Sequence, residues 1–452
     1  MQRVTGLRTG WLLSAAAILI GGWSMPAAAA DLGGDCCADL EERIAELEAT
    51  TARKGNRKVS LTVSGWVNEA VFFWDDGNER NVYVGTNFVE QSRVRFLGEA
   101  KINADWSAGY ILEIGVAGYP SNQWNQAGPG SASATPSNGN NATSVRKSAW
   151  YLKNKDWGQI SVGQNGTATY HLLDDADPTL TRNVNDAEGA AIYLAAFQLR
   201  SGGAPVVVGG NTLRWTDILR GFNNSTPGDS GRRNIVRYDT PTISGFTGTA
   251  AWGEDDLWDV ALTYKNDIGD FSVLARVGYG HSTDPGTQLT GFVVGGTPCI
   301  SSSSIASSLP NFECAWGGAG ATIIHKPTGL FLYGGWGKQH IDTDGTAAAT
   351  LFNPDSTTWF LQPGIEYKWL SLGKTNIFGE YRRDDAGSNP GRSVASTVEF
   401  WQAGLIQNIE AADASLYIVY EHADGDVLTT GSTSRTRLDA FEEIIVGTKI
   451  NF

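Results

Sequence analysis

Five histidines, His171, His281, His325, His340 and His422, are the residues of this 452-residue chain best suited to metal or proton chemistry. None stands at ligand spacing from another or from a cysteine pair, so each is expected at a loop or strand end. Gly373-Lys374-Thr375 has the tail of a phosphate loop, but Lys368 occupies the place of its first glycine, and the run is expected as a tight turn. There is no G-x-S-x-G elbow. Outer-loop carboxylates such as Asp384 and Asp385 are expected to be solvated. The chain therefore offers no enzyme site, cofactor or metal centre to sequence reasoning. What remains is charge. Asp174, Asp175, Asp177, Asp186 and Glu188 gather in one long polar connection, 165–230, while Arg93, Arg95, Lys101, Arg233, Arg237 and Arg276 fall at alternate positions of extended segments. Charges of both signs at close quarters can sort ions by sign without any covalent step.

The elements that must hold those charges follow from composition. Only 18% of residues are charged, and the chain has 16 Trp, 14 Tyr, 17 Phe and 55 Gly. A disordered chain needs the reverse, high net charge and few aromatics. Mean hydropathy is -0.21, and no apolar run of helical-span length follows the N-terminus, which excludes a helical membrane protein. The formal charge of -14 excludes nucleic acid as a partner.

Arg3 and Arg8, the apolar stretch Trp11 to Ile20 and the small-residue run Ala27 to Ala30 form a signal peptide over residues 1–30, with cleavage after Ala30. Cys36 and Cys37 lie too far past that point for a lipoprotein box. Cys299 and Cys314 sit in a Ser/Gly-rich stretch and, in an oxidising compartment, are expected to close a loop disulfide. Within a linker region, 31–57, Leu40, Ile44, Leu47 and Thr51 place an apolar seam on a short helix over 38–52. So short a helix is marginal alone. It is either a solvated amphipathic helix or a small oligomer-forming bundle.

From Lys58 the period falls to two, and the domain 58–452 reads as strands throughout. Val94, Phe96 and Ala100 alternate with Arg93, Arg95 and Lys101; Tyr110, Leu112 and Ile114 alternate with Ile111, Glu113 and Gly115; Ile444, Val446, Thr448, Ile450 and Phe452 share the last face. Runs of this kind number about sixteen, each near the length of a tilted bilayer crossing. Short connections at 103–106, 154–157, 266–269, 326–329 and 410–413 alternate with long ones at 120–144, 165–230, 282–314, 341–357, 384–397 and 422–440. That alternation belongs to an outer-membrane barrel. Trp66, Phe73, Trp74, Tyr110, Tyr119, Trp258, Tyr264, Tyr279, Trp359 and Tyr367 bracket the apolar stretches as interface aromatics do.

Asp39 to Trp66, DLEERIAELEATTARKGNRKVSLTVSGW, closely resembles the start of alphaproteobacterial, rhizobial-type porins. The likeness continues in Trp157 to Gln164 and in Arg233 to Pro241, and ends at the terminal Phe452. The resemblance implies an all-β, 16-stranded antiparallel transmembrane barrel with an inserted constriction loop. It implies a homotrimer in the bacterial outer membrane, in contact with lipid and lipopolysaccharide, passing small hydrophilic solutes and ions by passive diffusion. The constriction loop would be 165–230, with Asp174, Asp175, Asp177, Asp186 and Glu188 facing Arg93, Arg95, Arg233 and Arg237 across the pore, and Lys101 and Arg276 also lining it. The apolar piece Ala190 to Leu199 has no place in that picture. The net negative charge favours cations and the inward arginines oppose it, leaving the sign of selectivity open. The competing expectation is a barrel-anchored surface or envelope-tethering protein that binds a partner through its loops or N-terminal helix.

Overall fold

The computed structural model describes residues 59–116, 118–128, 143–185, 193–219, 226–253, 256–283, 312–343, 353–388 and 392–452. The signal peptide, the helix expected over 38–52, Asp186, Glu188 and Cys299 lie outside them.

Sixteen strands follow one another around a single sheet. They are β1 (Thr62–Asp75), β2 in two runs (Arg80–Thr86 and Arg93–Lys101), β3 (Trp106–Val116), β4 (Thr143–Asn154), β5 (Gly158–Gly166), β6 (Arg232–Asp239), β7 (Phe246–Gly253) and β8 (Trp258–Ile268). The second half comprises β9 (Phe271–Ser282), β10 (Phe312–His325), β11 (Leu330–Thr343), β12 (Asp355–Leu370), β13 (Gly373–Ala386), β14 (Ser393–Ile409), β15 (Ala414–Thr429) and β16 (Phe441–Asn451). Each pairs antiparallel with its sequence neighbour, and β16 returns to β1 from Trp66↔Asn451 to Asp75↔Glu442, closing the barrel. Closure satisfies the backbone where lipid offers no partner.

One end carries the tight turns at 155–157, 269–270, 326–329 and 410–413, as the sequence predicts. At the other end the strands run further than expected. β13 and β14 extend through much of 384–397, and β15 runs to Thr429. Polar residues interrupt the alternating pattern there but not backbone pairing, since hydrogen bonding between strands needs no lipid.

Val67, Leu262, Val277 and Ile450 stand exposed on the outer surface, together with Trp252, Trp258, Tyr279, Trp336, Trp359 and Trp401. Trp66 and Trp74 are exceptions to the predicted aromatic belt. Both share the inward parity of Asn68 and Phe72, and Trp74 is buried.

The apolar core is therefore inside the barrel. It joins the inner wall of β1 and β11–β16 to the long connection after β5. In that connection the 3-10 turns Asp174–Ala176 and Leu180–Asn183 precede two small hairpins, and the turn Trp215–Asp217 follows them. The apolar piece unexplained by the sequence is its anchor. The Phe197 ring lies 4.9 Å from Trp74 and 4.7 Å from Phe441, and Tyr193 lies 6.2 Å from Phe72. Elsewhere the loop is held by hydrogen bonds. The Asp259 carboxylate accepts from the Ala168 and Thr169 amides at 2.9 and 2.8 Å, and the Tyr333 hydroxyl donates to the Leu173 carbonyl at 2.9 Å.

Glycines make the close approach possible on β10 and β11. A Cβ on Gly337 would lie 1.6 Å from the Pro227 carbonyl oxygen, and one on Gly320 would lie 3.1 Å from the Leu173 carbonyl oxygen. Gly337→Ala is thus expected to displace the loop and to cost on the order of 1–3 kcal/mol, the usual range for overpacking. A lower midpoint for heat modification, with the barrel still inserted, would bear this out; an unchanged midpoint would refute it.

Candidate functional site: a charged constriction

Arg93 and Arg95 stand two apart on β2 and share its inward face, and β3 places Glu113 opposite Arg95. Glu113 is fully buried. It accepts from Arg95 Nε at 2.5 Å, Arg146 Nε at 2.8 Å and Arg93 Nη1 at 3.5 Å, so one carboxylate orders three guanidiniums. Such charge-assisted pairs fix geometry more strongly than neutral ones. Arg93 and Arg95 also stack over the Trp66 ring, at 4.3 and 4.6 Å from its centroid.

Arg146 and its neighbour Lys147 both reach the same cavity, which strict alternation forbids. The register between β3 and β4 slips between Glu113 and Ile114, and this bulge turns two consecutive residues inward. Across the lumen, Arg276 on β9 donates to the His171 carbonyl at 2.5 Å and pairs with Asp175 at 2.9 Å. Asp175 also pairs with Arg182 from its own loop. Arg232 donates to the Tyr170 hydroxyl at 2.5 Å, and Lys147 lies 5.6 Å from the Tyr170 ring centroid.

The loop groups respond to this density of charge. Burial works against ionising Asp175, but Arg182, His171 and Arg276 outweigh it and hold its pKa at about 2. Burial likewise opposes a charge on His171, yet Tyr170 and Asp174 raise it to about 10, so it is an imidazolium at neutral pH. Tyr170 is lowered to about 7, because Arg232, His171, Arg146 and Lys147 overcome its desolvation. These side chains line a cavity of about 280 Å³ that bears eight Arg and Lys residues against Glu90 and Asp175.

The candidates from sequence divide accordingly. Arg93, Arg95, Arg237, Arg276 and Asp175 line the cavity. Arg237 is also a brace, paired with Asp239 at 2.8 Å and donating to the Gly166 and Thr167 carbonyls where the loop begins. Arg233 is buried and donates to the Arg232 carbonyl; its neighbour Arg232 takes the lining position. Lys101 is exposed beside the β2–β3 turn, outside the lining. Asp174 is fully buried against His171. Asp177 turns away, accepting from the Thr179 amide at 2.8 Å and from the Thr181 hydroxyl, and burial raises its pKa to about 6. Sequence reasoning missed Glu90, Glu113, Arg146, Lys147, Tyr170, His171, Arg182 and Arg232. Glu113 carried one legible signal, a lone acid in an otherwise apolar strand. The adjacent pair Arg146–Lys147 carried another, since one of them had to break parity. Cys314 is buried at the outer end of β10, opposite Ser282 of β9.

A family model described as Gram-negative porin matches residues 14–428. No curated protein matches by sequence. Among solved structures, the anion-selective porin from Comamonas acidovorans aligns with a TM-score of 0.54 at 15% identity, over 87% of this chain and 100% of that one. OmpF of Salmonella typhi, in a complex with daunomycin, aligns with a TM-score of 0.53 at 11% identity, over 88% and 99%. The trimer form of OmpT from Vibrio cholerae gives 0.50 at 14%, over 88% and 100%. With a closed barrel, a loop folded into its lumen and a charged cavity between them, the chain belongs to the Gram-negative porin family and is a passive-diffusion channel of the bacterial outer membrane.

Proposed function

We propose that this porin prefers anions. The observation that carries the proposal is the excess of cations at the cavity, where eight Arg and Lys side chains oppose two lining carboxylates. A solute crossing a constriction exchanges hydration for the groups that line it, and rings of one sign favour the opposite ion. The chain's overall negative charge acts from further away and through salt, over which exposed charges are screened within about 10 Å. The anion selectivity of the Comamonas acidovorans porin agrees with this proposal.

The same proposal takes the protein as a homotrimer of the alphaproteobacterial, rhizobial type. Support comes from the motif at 39–66 and from the trimeric form of the Vibrio cholerae relative. Residues 1–30 are a signal peptide removed on export, 31–57 form the linker and helix, and Cys299 pairs with Cys314. The outer belt of exposed Trp meets lipid and lipopolysaccharide.

In a planar bilayer under a salt gradient, the reversal potential is expected to take the anion sign. Asp175→Asn should move it further that way by releasing Arg182 and Arg276, whereas Asp177→Asn should leave it unmoved. A cation-sign potential in the parent protein would overturn the proposal. Lys147 has no hydrogen-bond or ion-pair partner among the described residues. Its replacement by Gln should lower anion preference while leaving the barrel's heat-modification midpoint in place.

Tyr170 adds a pH dependence. Its pKa of about 7 means that raising pH through neutrality places an anion among the cations. Anion preference should therefore fall across that range, and Tyr170→Phe should abolish the step. A step that survives in Tyr170→Phe would assign the titration to another group.

A further inference from the structure

Beneath the inserted loop, four neighbouring strands present a row of buried polar side chains that begins at Glu380 on β13, opposite Gln402, and the members on β14, β15 and β16 have too few partners. Gln402 on β14 stands opposite Glu421 on β15, and Glu421 stands opposite Glu443 on β16. Both glutamates are fully buried, and Gln402 is 5% exposed. The Gln402 amide nitrogen donates to Glu421 Oε2. Four oxygens remain without a partner: Gln402 Oε1, Glu421 Oε1 and both carboxylate oxygens of Glu443. The nearest guanidinium on this wall, Arg382, is clasped by Asp384 at 2.9 Å.

Like charges directly opposed across a strand pair destabilise it, and adjacent strands are only about 4.8 Å apart. Two ionised carboxylates this deep require a compensating positive charge. The unpartnered atoms of Gln402, Glu421 and Glu443 are all oxygens, hard donors that suit calcium or magnesium rather than a thiophilic metal, and the Trp74 indole N–H facing Glu443 is also unpartnered. Paired carboxylates also match the charge of one divalent ion. No three His, Cys, Asp or Glu side chains among the described residues converge as a metal cage, and this set is completed by an amide oxygen instead.

We infer that Glu421, Glu443 and Gln402 hold one divalent, oxygen-preferring cation of the calcium type beneath the inserted loop. The ion would cross-brace β14, β15 and β16 where Phe441, two residues from Glu443, receives Phe197 of the loop. The passage and its charges stand elsewhere, so the site acts on the stability of the narrowed state, not on selectivity.

Terbium(III) is the probe. The refolded full-length chain is stripped with EDTA and titrated with it, exciting emission through indole; Trp74 faces Glu443 in the strand register. The expected result is a sensitised component that saturates at one ion per chain, is displaced by calcium, retains few bound waters by its lifetimes in light and heavy water, and disappears in Glu443→Gln. Absence of that component in the parent chain would mean that the two carboxyls share a proton, and would overturn the inference. So would its persistence in Glu443→Gln, or a fully hydrated lifetime, either of which would place the ion on the surface. Should Glu443→Gln fail to insert, Gln402→Leu keeps both carboxylates and removes the amide oxygen. It is expected to weaken terbium binding by at least roughly tenfold, and unchanged binding there would overturn the inference equally.

Discussion

Lipid offers the backbone nothing to hydrogen-bond, so each strand must be paired along both edges, and the pairing of β16 with β1 is the contact on which everything else depends. Once that seam closes, the usual arrangement of a protein is inverted. Apolar side chains such as Val277 and Ile450 face outward, and the charges have only the interior to occupy. A barrel of sixteen strands is also wide enough to leave an aqueous channel. Narrowing cannot come from the wall and must come from a segment folded into it.

That segment is seated by two kinds of interaction on two parts of the wall. Against β1 and β16 it is held by aromatic packing, with Phe197 between Trp74 and Phe441. Against β8 to β11 it is held by hydrogen bonds that its amides donate to Asp259 and that Tyr333 donates to it, and by bare glycine backbone at Gly320 and Gly337. The side of the lumen nearer β2 to β6 and β9 is left for the charged cavity. The loop thus narrows the channel by filling one side of it, and the arginines line what remains.

Within the cavity, Glu113 matters because it is both buried and shared. Three guanidiniums converging on one carboxylate would otherwise repel one another, and the pairing holds Arg93, Arg95 and Arg146 in fixed positions with positive charge to spare. Asp175 does the same for Arg182 and Arg276 on the loop side. The acids of this site position cations rather than balance them, which is how a chain with a formal charge of -14 comes to have a cationic cavity.

Strand number, the two faces of each strand, the tight turns and the inward placement of Arg93, Arg95, Arg237 and Arg276 were legible from the residues alone. A period of two is a local property, enforced by the pleat and by the contrast between lipid and water on the two faces. Trp74 was misassigned because interface and core aromatics are the same residue types, although its parity with Asn68 and Phe72 already places it inward. The cavity was legible only in part, since Asp174, Asp175 and Asp177 lie within four residues of one another and only Asp175 reaches it. Which of them does so depends on the turn at Asp174–Ala176 and on where Phe197 and Tyr333 pin the loop, contacts that span the whole barrel. The bulge that turns Arg146 and Lys147 inward together depends likewise on the register with β3. Local periodicity suffices to make this chain a barrel with charges inside. Which charges meet is set by contacts between residues far apart in the chain, and no local pattern records those.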